Sequence, residues 1–264
     1  MVLYEFSWGI IAISILAIGT IILAITDYFI NLRPILKKPF KKIALPYWGI
    51  IATIILTIAF VIPSIAYTGK KGERYSFLNH SISMLGEVGV SELAIFFNIC
   101  LIISGVITLV YYIGLALYME NKFAYLAGYI GVISCIGGSF VGVFPMNYYD
   151  AHWVVSLIFF FGGMLAVVLF SIAILIDKEK KIHWGFSIIG AIVFVFFALL
   201  LFYPYDVTDL ARYYNQNLQL ERPAFLLHTF FEWMTLITII IWGGLLAIYF
   251  LIRKININLS ENTT

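Results

Sequence analysis

The stretch Phe144-Pro145-Met146-Asn147-Tyr148-Tyr149-Asp150-Ala151-His152-Trp153 is a tight polar break between two long apolar runs. It holds a proline, which stops helices, together with a carboxylate and an imidazole, and it has no Lys or Arg. Working outward from it, seven apolar runs reach the roughly 20 residues that a spanning helix needs. They cover 8–30, 45–67, 91–118, 123–144, 151–176, 184–203 and 227–252. The runs are continuous rather than alternating, and far longer than the roughly ten residues of a barrel strand, so they read as helices. The predicted fold is therefore all-α, a polytopic transmembrane helix bundle.

Composition agrees. Of the 264 residues, 62% are hydrophobic and 11% charged, whereas about a quarter are charged in soluble domains. A net charge of +2 is too small to suggest a nucleic-acid partner. Cys100 and Cys135 both fall inside apolar runs without CxxC spacing, and read as small buried hydrophobes. The first run is expected to stay as an anchor rather than act as a signal peptide: nothing basic precedes it, Glu5 is acidic, and its core is too long. The chain thus reads as a single membrane domain over 1–264, with a core at 45–252 and the run at 8–30 as an added anchor.

Lys and Arg set the orientation. Arg33, Lys37, Lys38, Lys41, Lys42, Lys122, Lys178, Lys180, Lys181, Arg253 and Lys254 fall on one side, eleven in all, against Lys70, Lys71, Arg74, Arg212 and Arg222 on the other. A cell-membrane protein with its amino terminus outside and its carboxyl terminus cytoplasmic is expected. On the outer side, Thr68–Val90 and Asp206–Leu226 are long, polar and aromatic, and are expected to pack onto the bundle as short interfacial helices. Gly138 and Gly142 form a GxxxG pair that, with Gly128, Gly131, Gly162 and Gly163, argues for close internal packing.

Three of the four histidines, His80, His152 and His228, are predicted at the outer boundary. Ser81, Ser83, Glu87, Glu92, Asp150, Arg222 and Glu232 surround them. His228 and Glu232 are spaced i, i+4 and share a helix face. Asp150 suits the amino-terminal dipole of its helix. Glu232 lies about one turn inside the membrane, where a carboxylate is a functional hypothesis by default. Asn98 is the matching polar residue of the third run, and Ser91 has the character of its N-cap. Asp150, His152, His228 and Glu232 are the candidate catalytic groups, and His80, Ser81, Ser83, Glu87, Asn98 and Arg222 the candidate ligand-binding ones. Three imidazoles and a carboxylate are also the donor types of an open zinc site, which would use His80, His152 and His228. A metal-free polar pocket for a lipid headgroup, and hydrogen-bonded pairs that merely tie loop to helix, with Arg222 neutralising Glu87 or Glu232, are the competing readings.

The segments His80-Ser81-Ile82-Ser83-Met84-Leu85-Gly86-Glu87, Phe97-Asn98, Gly142-Val143-Phe144-Pro145 with Asp150 and His152, and Glu232-Trp233 resemble a family of prokaryotic polytopic membrane proteins, domain of unknown function 998. That family has an S-x-x-G element, an F-P before an outer loop with a His, and six core helices. It is similar in outline to the Frag/DRAM/Sfk group, some of which are linked to remodelling of lipid anchors. The resemblance implies a six-helix core, an outer-face site and a lipid connection. A looser likeness to the alkaline ceramidase and progestin-adipoQ receptor superfamily implies zinc held by three His, an Asp and a Ser. The HxxxH of that superfamily's last helix is absent, because His228 is followed by Glu232.

The first functional expectation is a lipid-facing protein that binds or processes headgroups at an outer polar site, with membrane lipid as partner. Alternatives are a metal-dependent, ceramidase-like hydrolase, a small-molecule transporter, and an accessory membrane subunit. Transporters place ionisable groups near the midplane, and the middle thirds of these runs carry no charge. Whether the protein is an enzyme, its cofactor and its oligomeric state stay open at this level.

Overall fold

In the computed structural model the described residues are 2–204, 222–255 and 257, with side chains from residue 7 onward. Among them, seven helices are long and apolar enough to cross a membrane. They are α1 (Val2–Ile30), α4 (Leu45–Ala66), α5 (Ala94–Met119), α6 (Lys122–Val143), α7 (Tyr149–Ile176), α8 (Gly185–Phe202) and α9 (Leu227–Ile252). Two short helices, α2 (Arg33–Leu36) and α3 (Lys38–Lys42), carry the basic loop after α1. The one β feature among these residues is an isolated bridge between Thr68 and Arg74.

The helices close into a ring. Around it, α4 packs on α5, α5 on α6, α6 on α7, α7 on α8, α8 on α9, and α9 returns to α4. Helix α1 lies outside, against α6 and α7, held at one end by the Tyr129 hydroxyl donating to Asp27 Oδ2 at 2.6 Å. Most of its isoleucines, Ile10, Ile18, Ile21, Ile22 and Ile25 among them, are more than half exposed, a surface suited to acyl chains rather than water.

Local chemistry explains the joints. Pro46 and Pro34 sit in the first turn of their helices, where a missing N–H costs nothing. Asn121 caps α6 by accepting from the Ala124 amide at 3.0 Å. Glu120, just before it, takes a left-handed φ of 54° that ends α5. Close helix approach comes from glycine, as the Gly138 and Gly142 pair suggested: a Cβ on Gly142 would strike the Asn98 carbonyl of α5, and one on Gly138 the Phe159 ring of α7.

Two sequence expectations shift. Helix α5 begins at Ala94, not Ser91, and Leu93 is its N-cap. Residues 91–93 form turns, the Ser91 carbonyl receiving the Ala94 amide while its hydroxyl has no hydrogen-bond partner among the described residues. The stretch Thr68–Val90 carries a single 3-10 turn, Ile82–Gly86, rather than an α-helix. Most of Asp206–Leu226, with Leu210, Tyr213, Tyr214, Leu218 and Leu220, lies outside the described residues.

Candidate functional site

The 3-10 turn Ile82–Gly86 is the centre of the polar end. It packs on α4, α5 and α9, and on a second short turn, Met146–Tyr148, at the break between α6 and α7. Side chains from α9, α5 and the α6–α7 break hold it and its flanks. From α9, the Glu232 carboxylate accepts the Ile82 amide at 3.2 Å, and Trp233 Nε1 donates to the His80 carbonyl at 3.2 Å. From α5, Asn98 Nδ2 donates to the Gly86 carbonyl at 3.0 Å. From the α6–α7 break, Asn147 clamps Val88 from both sides, accepting its amide at 2.9 Å and donating to its carbonyl at 3.0 Å.

His152, from α7, makes a fifth hold. Its Nδ1 lies 2.8 Å from the Phe144 carbonyl and its Nε2 lies 3.0 Å from Ser83 Oγ. A carbonyl only accepts, so Nδ1 carries the hydrogen. In the neutral ring Nε2 is then the acceptor, and the Ser83 hydroxyl donates to it. Ser83 is half-buried where Ile82 and Met84 on either side are buried.

His80 stands apart from this pair, edge-on to the Tyr67 ring at 5.4 Å and tilted against the Tyr75 ring at 5.0 Å. Its Nδ1 is 2.7 Å from Asn79 Oδ1 and 3.2 Å from the Ser76 amide, while its buried Nε2 has no hydrogen-bond partner among the described residues. Burial, helped by the nearby Arg222 guanidinium, pulls its pKa down to about 4 against the Ser76 backbone bond and Glu73, which raise it. Ser81 is buried beside it, its hydroxyl also without a hydrogen-bond partner among the described residues. The Tyr75 hydroxyl is shared between the His80 and Ser81 carbonyls at 3.0 and 2.9 Å.

The remaining candidates are spread around the rim. Asp150 is exposed in the first turn of α7, and His228 is half-buried in the first turn of α9. Among the described residues, ion pairs at this end join Arg222 with Glu73 at 3.6 Å and Lys70 with Glu87 at 3.2 Å. Among the described residues no group of three His, Cys, Asp or Glu side chains is placed to hold a metal ion. The described residues therefore do not bring His80, His152 and His228 together as a metal-ligand set: both nitrogens of His152 are engaged by Phe144 and Ser83, and His80 packs edge-on to Tyr67 and tilted against Tyr75.

Below the turn the ring encloses a cavity of about 130 Å³. Ile82, Ser83 and Glu232 line its polar end, and Tyr111, Trp242 and Gly243 line it deeper in the bundle. Between these ends the wall is apolar, relieved only by small hydroxyls such as Thr53, Ser104 and Ser134.

The segments that resembled one family therefore meet in space: Ser83 and Gly86 on the turn, Asn98 beneath it, Phe144 and His152 on one side, and Glu232 with Trp233 on the other. Residues 50–249 match the model of the family described as protein of unknown function (DUF998). The chain belongs to this family. No curated protein and no solved structure matches it. The DUF998 match spans the six ring helices α4 to α9, and with seven spanning helices the chain is a multi-pass membrane protein. Sequence reading placed Ser83, Asn98, His152 and Glu232 in the site, but missed Asn147, Tyr75 and the Phe144 carbonyl. Asn147 was legible as the one amide in the opening break, whereas a backbone carbonyl leaves no mark on a sequence.

Proposed function

We propose that this protein holds a membrane lipid, with the headgroup at the turn Ile82–Gly86 and one alkyl chain in the ring. The observation that carries the reading is the cavity itself: an apolar slot inside a transmembrane ring, with Ser83 and Glu232 at one end. From Glu232 to Gly243 the lining of α9 extends about 16 Å at 1.5 Å per residue. An extended chain advances about 1.2 Å per bond, as an extended backbone does, so about thirteen bonds fit. Lys70 with Glu87 and Arg222 with Glu73 bring paired charges of both signs to the same end, a setting suited to a polar headgroup. On the basic-residue asymmetry, this end faces outward and both the α6–α5 and α7–α8 connections face the cytoplasm.

The test is lipid extraction and mass spectrometry on protein purified in mild detergent. One lipid class should co-purify in near-equimolar amount. Gly243 lines the cavity, and a Cβ there meets nothing within 4 Å, so Gly243→Leu should keep the fold and lower that occupancy. Protein that carries no lipid above the level of a control membrane protein contradicts the reading.

A further inference from the structure

The geometry points to Ser83 and His152 as a nucleophile–base pair that transfers the acyl group of an ester lipid. This rests on the lipid reading above and goes beyond binding. A serine hydroxyl is a weak nucleophile until a neighbouring base takes its proton, and the base must be oriented by a third group. All three parts are present. The Ser83 hydroxyl donates to His152 Nε2 at 3.0 Å, and the Phe144 carbonyl fixes the ring by accepting from Nδ1 at 2.8 Å. A carbonyl in the orienting position holds the tautomer without adding a charge.

Placement makes the pair more than a tie between loop and helix. A tie needs no access, yet Ser83 lines the cavity next to Glu232 while His152 is buried behind it. A lipid whose chain fills the slot has its ester at the slot's polar end, against Ser83.

The reaction balances without a cofactor. Ser83 Oγ forms a bond to the ester carbonyl carbon as its proton passes to His152 Nε2. Collapse of the tetrahedral adduct breaks the bond to the leaving alcohol, which takes that proton. Water, or a second alcohol acting as acceptor, then gives its proton to His152, attacks the acyl-Ser83 and returns the hydroxyl.

A long-chain alkyl fluorophosphonate tests the pair directly, because Ser83 Oγ would displace fluoride and leave a stable adduct. Peptide mass spectrometry should place the adduct on Ser83. Ser83→Ala should abolish it, and His152→Gln should slow labelling about 100-fold, the low end of a general base's contribution. Ser64→Ala, which removes a half-buried hydroxyl that donates to the Val61 carbonyl of its own helix, should label normally. Thermal melting of each variant shows that it is folded. Folded wild-type protein that takes no label, or takes it on another serine, overturns the inference. Co-purified lipid on Ser83→Ala separates the two proposals: lipid bound without labelling in the wild type leaves the binding reading standing and removes the chemistry.

Discussion

Glu232 and His152 hold adjacent residues of one turn: Glu232 receives the Ile82 amide, and His152 Nε2 receives the Ser83 hydroxyl. The two side chains come from different helices, α9 and α7, and act through a shared loop rather than on each other. This makes the turn a keystone between the last helix of the ring and the α6–α7 pair.

Residues that share one interaction unit are non-additive. Once Glu232→Gln has loosened Ile82, the hold of His152 on Ser83 stabilises less. A double-mutant cycle with Glu232→Gln and His152→Ala should therefore show coupling above about 0.5 kcal/mol in thermal or denaturant stability. Additive effects within that margin would mean that the turn is not gripped from both sides.

How much of this was legible in the sequence depends on the kind of contact. The spanning helices were plain, because a twenty-residue apolar run has few other folds. Glu232 was legible as an anomaly in such a run, but its partner is a backbone amide 150 positions away, and side-chain chemistry alone suggests His152, His228 or Arg222 instead. Arg222 was placed at the right end, yet the ion pair found is with Glu73, a residue whose importance no spacing marks. Ser83 and His152 lie 69 positions apart, so only the ring closure joins them. The cavity is a property of packing, with no pattern along the chain.

Gly86 is required by space. A Cβ there would collide with Asn98 Oδ1 and the Phe97 ring, and Asn98 is held on the Gly86 carbonyl. Gly86→Ala should cost about 1–3 kcal/mol, as overpacking does. The Gly86→Ala, Asn98→Ala pair should recover part of it, since the obstructing side chain is gone. An unchanged melting temperature in Gly86→Ala would show that the turn sits farther from α5.

His80 gives the stability a pH dependence. Its ordinary value of 6.5 falls to about 4 in the native protein, chiefly through burial and then through Arg222, while Ser76 and Glu73 oppose the shift. Between those values the unfolded chain binds more protons, so stability rises with pH. The contribution is whole above about 6.5 and is lost as pH falls towards 4, with an upper bound of about 3 kcal/mol at 1.36 kcal/mol per unit. His80→Phe, which keeps a ring beside Tyr67 and Tyr75 but cannot take up a proton, should flatten the melting profile across that window. A wild-type profile with no slope there would place His80 in contact with water.

Orientation is testable at two sites. A cysteine introduced beside Tyr148, which is 61% exposed, should react with an impermeant maleimide in intact cells, and one beside Lys180 should react only after permeabilisation. The reverse pattern would put the turn and the cavity mouth in the cytoplasm.

The central claim is that a lipid chain occupies the ring beneath the turn. The most direct measurement is a side-chain-resolution density map of the protein purified in mild detergent. The account predicts one continuous rod of non-protein density from Ser83 and Glu232 down to Trp242, ending at the turn in a larger headgroup feature. A lumen closed by its own side chains, or one that holds only separate water-sized peaks, would contradict it.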